Sequence, residues 1–215
     1  MRLYLNVARI AVATAAVVAI TYQFASLKAH VPSFNPGNFF SFFTIQSNIL
    51  AAAVLVGAAV VRREERTLLF DALRGAATLY IVITGVVFAL LLAGLQESLD
   101  THIAWVDFTV HKLMPVAVAA DWLLEPPRRR LPSSAAFAWL AYPTAWFAYT
   151  LVRGAAEDWY PYPFVDVARL GYGGVFGRAA VLLVAFAAAA FAFVLTTTQG
   201  LRSVSRALGS RRRSP

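Results

Sequence analysis

The chain contains no cysteine. Disulfides, thiolate metal sites and a cysteine nucleophile are therefore excluded. Histidine is nearly as scarce. His30, His102 and His111 are the full set, too few for a histidine-rich metal or haem site. Charge is thin as well: 14% of the 215 residues are charged, where a soluble domain of this length carries about a quarter. Walker, GxGxxG, HExxH and GxSxG motifs are all missing. Nothing thus points to a nucleotide, a dinucleotide, a zinc-protease site or a serine-hydrolase elbow. No cofactor and no metal is expected. There is no lipidation motif and no convincing internal repeat of the transporter kind.

What the chain has in quantity is apolar surface. Hydrophobic residues make up 60% of it, and the mean hydropathy is +0.64. A bilayer crossing takes about 20 mostly apolar residues. Six stretches qualify: 4–27, 39–61, 67–95, 103–124, 133–153 and 174–197. The reading is an all-α, polytopic integral membrane bundle of six helices spanning 1–200, followed by a basic tail at 201–215. The first stretch is longer than a signal-peptide core and lacks a small-x-small exit, so it is expected to be retained.

The formal net charge is +8, but it sits in short clusters between apolar runs. Arg2 precedes the first run, and Arg62, Arg63 and Arg66 follow the second. Arg128, Arg129 and Arg130 follow the fourth, and Arg202, Arg206, Arg211, Arg212 and Arg213 follow the sixth. The alternate loops instead hold Glu97, Asp100, Glu157, Asp158 and Asp166, the first two in a short acidic turn. Positive charge favours the cytoplasmic side, which places both termini there. A cell-membrane location follows, with membrane lipid as the partner and no nucleic acid. The sequence does not set an oligomeric state. Arg9 is expected to snorkel to the cytoplasmic interface, and Asp71 and Arg74 to neutralise each other at i,i+3.

Two stretches carry polar groups where hydrocarbon would not favour them. The first is FFSFFTIQSNIL, in which Ser41, Thr44 and Asn48 fall at i, i+3 and i+7 on one helical stripe. Intramembrane polar residues face the protein interior. Two readings of Thr44 are open: a nucleophile, or a hydroxyl bonded back to the carbonyl of Phe40. The second stretch is DFTVHKLMP. Asp107 and His111 share a face at i,i+4, and Pro115 takes the helical partner from the His111 carbonyl. The carboxylate would fix the imidazole tautomer, or the pair would simply tie helices together. By topology, Thr44 and His111 lie at similar depth. A hydroxyl, an imidazole and a carboxylate are the pattern of nucleophile, base and orienter, with Asn48, Ser41 or a backbone N–H to stabilise an oxyanion.

Further on, Tyr142, Trp146, Tyr149 and Arg153 form one stripe ending in a cation. It is either an interfacial belt or a site wall in which Tyr149 and Arg153 bind a carboxylate head group. A kink is expected at Pro143. The stiff segment WYPYPF, with Tyr162 and Phe164, is a lid or an interfacial anchor.

The segments FFTIQSNIL, DFTVHKLMP and YPYPF, in that order, resemble the androgen-induced family of membrane proteins and its bacterial six-helix relatives. The resemblance covers most of the chain. It implies six helices and hydrolysis of a lipid-ester substrate, a fatty-acid ester of a hydroxy fatty acid. It implies Thr44 as the intramembrane nucleophile, His111 as its base, and Tyr162 and Phe164 within the aromatic–proline motif. A non-enzymatic lipid or small-molecule binder, or a transporter, using the same polar cavity is the alternative.

Overall fold

The computed structural model describes residues 2–96 and 102–211, the side chains of 95, 96 and 196–211 excepted. The expected acidic turn at Glu97 and Asp100 lies outside the described residues. So do Arg212, Arg213 and the side chains of Arg202, Arg206 and Arg211.

Among the described residues the fold is entirely helical. Helix α1 is Arg2–His30. A short α2, Pro36–Ser41, starts where Asn35 accepts a hydrogen bond from the Gly37 N–H and Pro36 occupies the first turn. Helix α3 is Phe43–Val60. Helix α4 is Leu68–Val87, capped by the Thr67 side chain on the Phe70 N–H, and continues through a π turn, Phe88–Leu92, into α5, Ala93–Gln96. Next come α6, Ala104–Phe108, a second π turn, Thr109–Leu113, and α7, Met114–Leu124. Helix α8, Ser134–Glu157, runs unbroken through Pro143. A 3-10 turn, Pro163–Val165, leads to α9, Val167–Arg211. Gly171, at φ 64° and ψ 164°, interrupts α9, a backbone state in which glycine carries no Cβ penalty.

Among the described residues, four helices are long and apolar enough to cross a membrane: Arg2–His30, Phe43–Val60, Leu68–Leu92 and Val167–Leu195. The stretch expected at 103–124 is two α-helices joined directly by the second π turn. Helix α8 has the length, at 24 residues, but tyrosines, tryptophans, threonines and Pro143 dilute its apolar character. The stretch expected from 39 to 61 is two helices, because Phe42 is extended, at φ −66° and ψ 127°. Ser41 is therefore cut off from the stripe it was expected to share with Thr44 and Asn48. The last helix starts earlier than 174 and its backbone stays helical to Arg211.

Small residues let α1 lie close to α3. Ala13, Ala16, Ala51 and Ala52 are all buried in one cluster with Leu55, Ile81, Met114 and Val118. A larger aromatic cluster gathers Phe43, Tyr80, Trp122, Trp139, Tyr162 and Phe186 from α3, α4, α7, α8, the following loop and α9.

The bundle has two chemically distinct ends. At one, the start of α1, the end of α3, the start of α4 and the end of α7 converge on buried charge. Arg9 donates to Asp121 at 2.5 Å and to Glu125 at 2.6 Å. Arg66 donates to Glu125 at 2.6 Å and to the Ala58 carbonyl at 2.5 Å. Arg74 reaches Asp121 at 2.8 Å, while its contact with Asp71 is 3.6 Å. Arg9 is 2% exposed, so it does not snorkel; it is a core residue of an ionic network. Three arginines face three carboxylates, and this balance lets all six lie buried. The opposite end is aromatic, built from α2, the first turn of α3, the end of α8 and the loop after it.

Candidate functional site

The site begins with the break at Phe42. The first turn of a helix has amides without helical acceptors. At α3 one of them is satisfied from far away: the Tyr162 hydroxyl oxygen accepts the Thr44 N–H at 3.1 Å. The same hydroxyl lies 3.2 Å from Thr44 Oγ1. Thr44 is not bonded back to Phe40, whose carbonyl instead accepts Gln46 Nε2 at 2.7 Å. The Thr44 side chain is buried, with Tyr162 as its partner.

Asn48 sits one turn further along α3 and is fully buried. Its Nδ2 donates to the Thr44 carbonyl at 2.9 Å and to the Val110 carbonyl at 3.2 Å. That bracket ties the Thr44 turn to the turn that carries His111. Asn48 Oδ1 is buried without a partner among the described residues. Ser47 Oγ lies 3.2 Å from Thr84 Oγ1, joining α3 to α4 at the same level.

His111 lies in the second π turn, just before Pro115. The imidazole Nδ1 is 2.9 Å from Asp107 Oδ1, so the two residues form the pair their spacing implies. The ring stacks flat on Phe88, with centroids 3.8 Å apart and 9° between planes. Phe88 is the first residue of the other π turn, so the two irregular turns meet through these rings. Among the described residues no hydrogen bond joins His111 to Thr44.

A cavity of about 360 Å³ lies beside Thr44, within the size range of small-molecule pockets. Its walls are Phe43, Ile83, Val87, Trp146, Phe147, Phe164, Phe176 and Phe186, with Thr44, Thr84, Thr144 and Tyr162 as polar points. His111 and Asp107 do not line it; Thr84, which does, pairs with the buried Ser47.

Tyr142, Trp146 and Arg153 of the stripe on α8 are partly buried against the bundle, while Tyr149 stays about half exposed. Tyr142 donates to Gln46 Oε1 at 2.5 Å, and Trp146 Nε1 to the Ser41 carbonyl at 2.9 Å. The Tyr149 hydroxyl lies 2.9 Å from Ser41 Oγ, and Ser41 itself donates to the Gly37 carbonyl at 2.6 Å. Arg153 stacks over Trp159 at 5.4 Å, and its Nη1 is buried without a hydrogen bond among the described residues. Ser41, Tyr149 and Arg153 thus gather at the aromatic end, outside the cavity wall. Tyr162 and Phe164 do line the cavity, stacked on each other at 5.1 Å and 5°. The segment 159–165 is therefore packed into the bundle end and does not lie over its surface. Burial pushes the Tyr162 phenol up from its usual value, against the opposing pull of the Thr44 hydroxyl and of the Thr44 and Phe43 amides.

Sequence reasoning missed three features: the ionic network, the Phe88–His111 stack, and the Tyr142–Gln46 bond. Only the first left a signal. Asp121 and Glu125 stand at i,i+4 at the end of an apolar helix, a costly placement unless cations face them.

Compared with protein-family models, with curated proteins and with solved structures, the chain matches none of them.

Proposed function

We propose that the chain is a multi-pass protein of the cell membrane that hydrolyses lipid esters, with Thr44 as nucleophile. In this reading six segments cross the bilayer, both termini are cytoplasmic and the ionic end faces inward. The observation that carries the reading is the position of Thr44. Its hydroxyl is free of its own backbone, pairs with Tyr162, and stands at a polar point of an apolar cavity. An acyl chain fits such walls by burial alone. The ester carbonyl would then lie against Thr44.

A threonine hydroxyl needs a base. His111, with Nδ1 held by Asp107, sits in a turn tied to the Thr44 turn through the Asn48 bracket. It takes the proton from Thr44 through one bridging water or after a side-chain rotation, since the two are not hydrogen-bonded here. Catalytic contacts commonly tighten only when substrate is bound.

The test is turnover of a chromogenic fatty-acyl ester by the purified protein in detergent. Wild type is expected to be active, and Thr44→Ala and His111→Ala to lose most of that activity. Equal turnover in all three overturns the reading. One observation favours a non-enzymatic lipid binder instead: the cavity wall omits His111. A tightly retained lipid, with no turnover and no fluorophosphonate labelling at Thr44, is what that alternative expects.

A further inference from the structure

Acyl transfer at Thr44 would need a donor for the oxygen anion that forms as the carbonyl is attacked. Two side chains that could serve are already committed. Both hydrogen bonds given by Asn48 Nδ2 go to backbone carbonyls, of Thr44 and Val110. The Ser41 hydroxyl donates to the Gly37 carbonyl and belongs to α2, beyond the break at Phe42. Tyr162 remains, and it touches the reacting hydroxyl directly, at 3.2 Å.

We infer that Tyr162 is a further catalytic residue, whose phenol hydroxyl donates a hydrogen bond to the tetrahedral oxyanion formed at Thr44. This rests on the hydrolase reading. The Thr44 N–H donates into one lone pair of the phenol oxygen, at 3.1 Å. That contact fixes the oxygen and leaves its O–H to point at Thr44 Oγ1 or at an acyl oxygen beside it. The ring cannot drift. It stacks on Phe164 and meets Phe42 and Trp146 at centroid distances of 5.4 and 5.9 Å. Tyr162 also lines the cavity, so the donor faces the space an acyl group would fill. Burial keeps the phenol protonated, as a donor must be.

The step balances as follows. Thr44 Oγ forms a bond to the acyl carbon while its proton passes to His111. The carbonyl π pair moves to oxygen, where the Tyr162 O–H holds it without giving up its proton. Collapse breaks the bond to the leaving alcohol, which takes the proton from His111. Water then repeats the cycle on the acyl-threonine, releasing the acid and restoring Thr44.

The experiment compares wild type with Tyr162→Phe, which removes one oxygen and keeps the stacked ring. The expected kcat loss is about 10²–10³-fold with KM nearly unchanged, the size seen when one oxyanion donor is deleted. A long-chain trifluoromethyl ketone, which forms an oxyanion adduct on a hydroxyl nucleophile, is expected to bind more weakly by a similar factor. An unreactive ether of the same chain length is expected to bind equally well to both. Wild-type kcat in Tyr162→Phe, or equal weakening of ketone and ether, overturns the inference while leaving the hydrolase reading intact. An inactive wild type, or a Thr44→Ala variant as active as wild type, overturns both.

Discussion

Gly85 and Pro115 lie against each other so closely that a β-carbon on Gly85 would stand 2.8 Å from Pro115 Cγ. The same β-carbon would come within 3.2 Å of the His111 carbonyl, the one that Pro115 deprives of a helical partner. Glycine thus lets α4 close on the π turn that carries the imidazole. The prediction is that Gly85→Ala forces the two helices apart. Overpacking of this kind costs about 1–3 kcal/mol. Thermal unfolding in detergent measures it, and an unchanged midpoint would mean that this contact does not position the turn.

A second prediction concerns Asp121, which receives Arg9 and Arg74 together. Asp121→Asn leaves two buried guanidiniums with a neutral partner. Removing one member of a buried ion pair costs roughly 3–5 kcal/mol. A drop of the melting midpoint by only a degree or two would argue against a tightly closed network.

Acid should act at the same end of the bundle through Glu125. Burial works to raise this carboxyl, but hydrogen bonds from Arg66 and Arg9 outweigh it and hold the carboxyl below its ordinary value. The unfolded chain therefore binds this proton more readily than the folded one. Glu125 adds stability above its unfolded value of about 4.3, and that part is lost as pH falls through the lower, folded value. The melting midpoint is expected to be level between pH 7 and about 5 from this source, then to decline. Glu125→Gln should start lower and decline less steeply, and a slope identical to wild type would refute the assignment.

Long apolar runs made the helices legible from residue types alone, because burial of a whole stretch needs no knowledge of its neighbours. The Asp107–His111 pair was legible for a related reason: it is local, four positions apart on one turn. The break at Phe42 was not. Nothing between Phe39 and Asn48 is a proline or a glycine. The break is matched by a phenol lying 118 positions away, which takes up the amide at the start of α3. Arg9 was misread by the same limitation. Near a helix start an arginine reads as a side chain reaching for water, and only the folded chain brings Asp121 and Glu125 to it. Tyr142 and Trp146 show the same limit, since a stripe of aromatics carries no label saying whether lipid or another helix faces it.

The ionic end also constrains the order of assembly during synthesis. Arg9 is made early, yet its partner Asp121 lies 112 positions later. At translation rates of about 5–20 residues per second, the first helix waits roughly 6–20 s for the carboxylate that neutralises it. Over that interval Arg9 has neither of its carboxylates, so the half-made chain has reason to stay near the ribosome and its insertion machinery until α7 arrives.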